Sequence, residues 1–207
     1  VMSSELDEVV ACLSLAQVPP AWGTTFPSLK PLAAWTRDLA ARIAALAEWG
    51  GGDYPSVYWI SGFSYPTGFL TALLQTAARA TAVSVDVLSW EFTVLQTETA
   101  PTKAAKEGAY IRGLFLEGAR WDVDASTLAE QRPMELVVAM PVIHFRPIEA
   151  KKKPVKGLYA CPCYMYPVRT GSRERPSYTL SVDLRSGQAE PEHWVKLGTA
   201  LLLSLAT

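Results

Sequence analysis

The stretch VLSWEFTVLQTE, residues 87–98, marks a change in the spacing of the hydrophobic residues. Before it they recur about every 3.6 residues, as on one side of a helix, whereas within it they alternate. The alternation divides the strand into two faces, with Trp90, Phe92 and Val94 on one and Glu91 and Thr93 on the other. We therefore expect helices before about residue 83 and β-strands after it.

Three helices are predicted before this boundary. Residues 4–16 form the first, with Ser4 as a plausible N-cap, and Pro66 opens the third. The second and longest begins after Ser28, with Pro31 in its first turn. Its hydrophobic residues make one predicted buried stripe: Leu32, Trp35, Leu39, Ile43 and Leu46. Its charged residues are off that stripe: Arg37, Asp38, Arg42 and Glu48.

About six strands with short connections are predicted after the boundary, which favours an antiparallel barrel or a curled sheet. The clearest is YTLSVDLR, 178–185, which directs Tyr178, Leu180, Val182 and Leu184 inward. A final helix opens at Pro191 and aligns four residues on one side: Trp194, Leu197, Leu201 and Leu205. The prediction is an α+β fold, with a helical subdomain over 1–82 and a β-barrel subdomain with a terminal helix over 83–207.

Composition restricts the class of protein. The 207 residues are 49% hydrophobic and 19% charged, with a net charge of −1, so a sizeable core is expected and binding to nucleic acid or to a membrane surface is not. Three cysteines are too few for a secreted disulfide framework. We expect a soluble, intracellular protein. Because the chain begins inside a helical pattern, we also expect a fragment of something longer.

Two sets of residues, one built on a serine and one on two cysteines, are candidates for catalysis or metal binding. Ser61, in WISGFSYP, lies between a strand and a helix, as a hydrolase nucleophile does, with His144 or His193 as the base. The first glycine of the hydrolase motif is missing, so a structural turn is favoured. Cys161 and Cys163 with His144 offer thiol and imidazole ligands, but their spacing is atypical of zinc sites, and we expect packed thiols and no metal.

The stretch GLFLEGARWD, 113–122, gathers charge beside an indole ring. Glu117, Asp122 and Asp124 are candidates for a pair of catalytic carboxylates. Arg120 lies among them, and an ion pair lowers the pKa of a carboxylate instead of bringing it near neutrality. We therefore predict a structural corner made of Glu117, Arg120, Trp121 and Asp122.

Positive charge is concentrated in two places. The run KKKPVKG, 151–157, is either a solvated turn or a contact for an acidic partner. The candidate contact residues are Lys151, Lys152, Lys153, Arg173 and Arg175. A P-loop is absent from the sequence. A ligand-binding module with a cavity between helices and sheet remains an alternative.

Several motifs in order resemble the C-terminal domain of axonemal dynein heavy chains, from about Leu6 to about Leu203. They are LDEVV, VPPAWGTTFPSLKPLAAW, VYWISGF, FLTALLQTAAR, GLFLEGARWD, MPVIHFRP, YACPCYMYPVR and EHWVKLGTALLL. One departure is TGSRERPSYTLSVD, where axonemal relatives usually carry ERRG and a polar loop.

The resemblance implies a non-catalytic regulatory domain with helices followed by a small β-barrel. Its partner is implied to be the AAA+ ring of the same heavy chain, with microtubules bound only through the parent motor. ATP and Mg²⁺ would belong to that ring, and no cofactor is expected in this fragment. The implied location is the cytoskeleton of the ciliary or flagellar axoneme.

Overall fold

The computed structural model describes residues 4–26, 28, 30–52, 54–96, 100–152, 156–165 and 176–203. The fold is of the mixed α+β class, as predicted. The α-helices in this part of the chain are α1 (Ser4–Ser14), α2 (Pro20–Thr25), α3 (Leu32–Gly50), α4 (Pro66–Thr81) and α5 (Pro191–Lys196). A single 3-10 turn, Ile60–Gly62, precedes α4.

The strands are short and numerous. In chain order they are β1 (Tyr58–Trp59), β2 (Leu88–Val94), β3 (Ala109–Arg112), β4 (Phe115–Glu117), β5 (Arg120–Asp122), β6 (Thr127–Ala129), β7 (Val137–Ala139), β8 (Ile143–Glu149), β9 (Leu158–Met165), β10 (Ser177–Arg185) and β11 (Ala200–Leu202). They form a four-stranded sheet in the order β1-β3-β8-β2 and a five-stranded sheet in the order β10-β9-β11-β4-β7. The remaining pair, β5 and β6, is a separate antiparallel hairpin.

The predicted barrel is not supported, because none of the three sheets in the described residues closes on itself. In the four-stranded sheet β2 pairs only with β8, and in the five-stranded sheet β10 pairs only with β9. Alternation along a strand determines which side chains face the core, but it does not specify which strands become neighbours. The same alternation of hydrophobic residues is therefore compatible with open sheets as well as with a closed barrel.

The predicted terminal helix is also wrong beyond its first turns. The helix α5 ends at Lys196, and Gly198 follows with a φ of +69°, the left-handed conformation that terminates helices. The amide of Thr199 donates to the carbonyl of Trp194 at 3.0 Å and completes the end of the helix. Leu201 then lies in β11, fully buried between β4 and β9. Leu205 lies outside the described residues.

One hydrophobic core joins the helical and the β-rich parts of the chain. Ile60 and Leu70 belong to the same buried cluster as residues of both sheets. The largest fully buried side chains in it are Trp194, Phe145, Ile60, Ile111, Leu116, Ile143, Leu184 and Leu201. The short strand β1 also pairs, in parallel, with β3. The two predicted subdomains stay a prediction, and the cluster contains residues from both sides of the boundary at 82.

Helix α3 is turned differently from the prediction. Its buried residues are Trp35 and Arg42, whereas Ile43 and Leu46 are 58% and 53% exposed. The predicted stripe assumed that every hydrophobic residue faces inward and that Arg42 faces water. The structure instead supplies Arg42 with polar and aromatic partners, and this contact determines which side of the helix is buried.

Candidate functional site

The predicted corner lies where the chain leaves one sheet and enters the hairpin. Glu117 ends β4, and Arg120 to Asp122 form β5. Arg120 Nη2 lies 3.4 Å from Asp122 Oδ2, and both side chains are about one-third exposed, with fractions of 27% and 30%. Glu117 is exposed and has no ion pair within the described residues. Arg120 therefore contacts one carboxylate of the predicted set.

Asp122 holds the turn of the hairpin. Its Oδ1 accepts a hydrogen bond from the amide of Ala125 at 3.0 Å. This backbone hydrogen bond, aided by the positive charge of Arg120, lowers the pKa of Asp122. A carboxyl whose pKa is lowered stays ionised at neutral pH and is poorly suited to act as a general acid. The geometry agrees with a structural corner, although that role stays a prediction.

Trp121 connects the corner to a groove on the surface. Its half-buried indole packs against the core and lines a groove of about 560 Å³. The other lining residues are Trp90, Glu91, Phe92, Thr93, Val94, Leu95, Gln96, Ser126, Leu158, Asp183 and Arg185. The volume falls within the range of small-molecule and peptide sites, about 300–1,000 Å³. The groove is bounded by the two edge strands β2 and β10, which the sequence did not predict to be edges.

A second cluster, which the sequence analysis missed, surrounds the indole of Trp59. The guanidinium carbon of Arg42 lies 5.2 Å from one ring centroid of Trp59, and that of Arg112 lies 5.6 Å from it. Arg42 Nε also donates to Asp38 Oδ2 at 2.9 Å, and Lys30 Nζ lies 3.5 Å from Asp38 Oδ1. The cation–π contact between Arg42 and Trp59 thus holds α3 against β1, and the ion pair with Asp38, within α3, orients the guanidinium. The i to i+4 spacing of Asp38 and Arg42 was the available signal.

Ser61 lies inside this second cluster. It is 9% exposed, and its hydroxyl donates to the carbonyl of Gly113. His144 Nε2 donates to the carbonyl of Glu107 at 2.8 Å, and its ring lies 4.8 Å from that of Tyr110. Each of these groups is engaged with another partner, and the described residues show no hydrogen bond between the serine and a histidine.

His193 is engaged at a third place. Its Nε2 contacts Glu130 Oε1 at 2.5 Å, and its ring lies 5.0 Å from that of Trp194. The contact joins α5 to the segment after β6. The structure therefore places the nucleophile and the two bases of the alternative hydrolase hypothesis in separate contacts.

Cys161 and Cys163 are completely buried on one side of β9. Burial raises the pKa of both thiols, that of Cys163 to about 12, so both are protonated and unreactive at neutral pH. The polar contacts of the Cys161 thiol are the carbonyls of Pro162 at 3.9 Å and Thr199 at 4.0 Å, both weak even for sulfur. Across the described part of the molecule, no group of three potential metal ligands is brought together.

The candidate contact residues are only partly described. Lys151 is 77% exposed, and its Nζ lies 2.8 Å from a carboxylate oxygen of Glu149. The hydrogen bond to Glu149 raises the pKa of Lys151. The side chain of Lys152 and the residues Lys153, Arg173 and Arg175 lie outside the described residues. Their role as a partner contact stays a prediction.

Comparison with known proteins agrees with the resemblance seen in the sequence. The family model for the C-terminal domain of the dynein heavy chain matches residues 1–203. The dynein-1-beta heavy chain of the flagellar inner arm I1 complex of Chlamydomonas reinhardtii is 58% identical over the whole of this chain. The human dynein axonemal heavy chains 2 and 1 are 54% and 40% identical over 99% of it.

The chain matches only a small part of each of these relatives. The chain spans 5% of the length of each relative named above. Among the described helices, none combines the length and the hydropathy that crossing a bilayer requires.

Proposed function

Because the chain belongs to the family formed by the C-terminal domains of dynein heavy chains, we propose that it is the non-catalytic, regulatory C-terminal domain of an axonemal dynein heavy chain. In this proposal the domain packs on the AAA+ ring of the same heavy chain. There it modulates the ATP-driven movement of the motor along microtubules in cilia and flagella. ATP and Mg²⁺ bind in the ring, and the C-terminal domain requires no cofactor of its own.

The observation that carries the packing proposal is the uncovered hydrophobic side of α1. Leu6, Val10 and Leu13 recur at helical spacing and are 46%, 54% and 41% exposed. None of the 11 residues of α1 is buried. Isolated helices shorter than about 12–15 residues are marginal in water, so such a helix requires a partner surface.

Helix α3 presents hydrophobic side chains to solvent as well. Ile43 and Leu46, three residues apart, are both more than half exposed. Exposed hydrophobic groups that recur on one side of a helix are typical of interaction surfaces. The exposed hydrophobic side chains of α1 and α3 favour a partner with a partly hydrophobic surface, and the proposed partner is the ring.

The test is binding of the purified 207-residue chain to the motor ring of the Chlamydomonas relative, truncated before the matched segment. We expect saturable binding and a change in the ATPase rate or gliding speed of the ring. Val10→Glu places a carboxylate in the proposed interface, where desolvation is costly, and should weaken binding at least about tenfold.

Val195→Glu is the matched control, because Val195 is 64% exposed but lies on α5. It should leave binding unchanged. Absence of binding at about 50 μM would contradict packing on the ring. Equal weakening by both variants would show that the side of α1 is not the contact.

A further inference from the structure

Strand β2 presents an unpaired edge to the groove. The amide of Leu95 donates to the carbonyl of Val142 at 2.9 Å, which extends the antiparallel ladder between β2 and β8. In such a ladder alternate residues bond to the partner, so the backbone groups of Trp90, Phe92 and Val94 point away from β8. Within the described residues none of these groups has a hydrogen-bond partner.

Strand β10 presents a second edge to the same groove. The amide of Ser186 donates to the carbonyl of Gly157 at 3.0 Å, which continues the ladder between β10 and β9. The same alternation directs the backbone of Asp183 and Arg185 away from β9. Both residues line the groove.

The groove runs along the edge of β2, where the backbone is exposed, and not along one face of the strand. Every residue from Trp90 to Gln96 lines the groove, although successive side chains of a strand point to opposite faces. Only a cavity that runs along the edge touches all of them. Its wall therefore offers amide and carbonyl groups at the spacing of a strand, a pattern that another extended backbone matches.

The edge lacks three of the features that commonly prevent strand pairing, and Glu91 is the one charged residue in β2. Lys, Pro and bulges commonly protect exposed edges, and the sequence of β2, LSWEFTV, contains neither of these residues. Its antiparallel register with β8 runs without a bulge from Leu88 to Val94. A regular, unprotected edge of this kind is suited to accept one more strand.

We propose that the groove binds an extended segment of a separate polypeptide, which pairs with β2 as an added strand. A single extended strand is a better occupant than a second folded copy, because Trp121, Ser126 and Asp183, none of them in β2, line the same groove. Trp121 and Leu158 contact apolar side chains of the segment. This inference does not depend on the proposed packing on a ring.

Charge specifies one end of the bound segment. Arg185 is exposed, lines the groove and has no ion pair in the described part of the chain. Arg146, which lies beside β2 in the sheet, is already bonded to Glu91. The free guanidinium favours a carboxylate in the segment, so the partner is an extended peptide with alternating apolar residues and an acid near one end.

The probe is a set of seven-residue peptides, the length of β2, that alternate Thr with Val, Ile, Leu or Phe and carry a terminal Glu. Binding to the purified chain is followed by fluorescence polarisation. We expect saturable binding by at least one peptide. N-methylation removes the donors on one edge of that peptide without changing its side chains. Of the two isomers, methylated at odd or at even positions, one should bind at least about tenfold more weakly and the other should bind normally.

Two pairs of protein variants locate the contact. Val94→Pro removes an amide that points into the groove, whereas Val94→Ala removes the same side chain and keeps the amide, so only the proline variant should lose binding. Arg185→Gln should abolish the preference for terminal Glu over terminal Gln. Circular dichroism and thermal melting show whether each variant is folded. If Val94→Pro does not fold, the two methylated peptides still test whether the peptide pairs with the backbone of β2.

Three results would overturn the proposal. The first is that no peptide of the set binds at about 1 mM. The second is equal binding of both methylated isomers, which would indicate a side-chain pocket for small molecules. The third is sedimentation of the chain as a dimer that Val94→Pro dissociates, which would show that a second copy occupies the edge.

Discussion

The guanidinium of Arg42 donates from Nη1 to the carbonyl oxygen of Gly62 at 2.6 Å, and so joins α3 to a turn 20 residues away in sequence. The same group forms an ion pair with Asp38, and the two side chains are only 8% and 10% exposed. A buried charge is stable only while its partners are present. Arg42 is therefore expected to be the most sensitive charged position in the helical part.

Replacing Arg42 tests this dependence. Arg42→Met keeps most of the side-chain volume but leaves the carboxylate of Asp38 without its main partner, so we expect a loss of about 3 kcal/mol in the free energy of unfolding. Urea denaturation measures it. Arg37→Met is the matched control on the same helix, because Arg37 is exposed and bonds only to a carbonyl of its own helix. The control should change stability by less than about 0.5 kcal/mol.

Acid titration should reveal the same ion pair. Burial alone would raise the pKa of Asp38, but the hydrogen bond and charge of Arg42, with Lys30, hold it below the ordinary value of 3.8. A depressed carboxyl pKa contributes stability above the ordinary value, and this contribution is lost as the pH falls through the folded pKa. The difference in unfolding free energy between the wild type and Asp38→Asn should thus be constant above about pH 5 and shrink below pH 3.8. A difference independent of pH would refute the pairing.

Gly113 is expected to tolerate no side chain. It has a φ of +89°, and a Cβ atom there would lie 2.4 Å from Cδ1 of Trp59. We expect Gly113→Ala to cost about 2–4 kcal/mol from the clash and the strained backbone. Gly23→Ala is the control, because a Cβ at Gly23 in α2 meets nothing within 4 Å. It should stabilise the protein by up to about 1 kcal/mol, and similar melting of the two variants would contradict the packing around Trp59.

Trp121 should contribute to stability through packing. Its indole is half-buried against the core, so Trp121→Ala is expected to cost about 2–3 kcal/mol, less than the loss of a fully buried tryptophan. Tyr65→Ala, at a position 79% exposed, should be nearly neutral in the same denaturation experiment. Unchanged melting of Trp121→Ala together with lost peptide or ring binding would make Trp121 an interface residue instead of a structural one.

Thiol reactivity provides a test without mutation of the core. Burial raises the pKa of the Cys161 and Cys163 thiols, whereas Cys12 in α1 is only partly buried. The thiolate is the reactive form, so at about pH 8 a maleimide should label one thiol rapidly and the other two only as the protein unfolds. Cys12→Ser should remove the rapid phase. Rapid labelling of a second thiol in the folded protein would show that β9 is accessible.

The spacing of hydrophobic residues in the sequence predicted those parts of the fold that depend on a single strand or helix. Val182 and Leu184 are buried in β10, as alternation indicates. Tyr178 is 59% exposed although the same alternation places it inside, because the register with β9 shifts between Tyr178 and Leu180. An irregularity of this kind arises from the pairing of two strands, so neither sequence alone reveals it.

The parts that sequence reasoning missed depend on distant residues. Arg42 was predicted to face water because its partners, the carbonyl of Gly62 and the ring of Trp59, come from another segment. The groove escaped prediction because it exists only where β2 and β10 fail to pair, about 90 residues apart in sequence. Within the predicted corner, Arg120 and Asp122 are two residues apart and contact each other, so local sequence sufficed to bring these two together, whereas the role of the corner stays a prediction.

The position of β11 determines when the five-stranded sheet can assemble. Ala200–Leu202 lie between β4 and β9. The sheet can therefore be completed only after this later segment of the chain has been synthesised. Until then the edges of β4 and β9 that pair with β11 lack their neighbour, and β4 and β7 are separated from β9 and β10. A stop codon shortly before residue 200 would remove β11 and so divide the sheet in two. Such a truncation is expected to eliminate the folded domain and not merely shorten it.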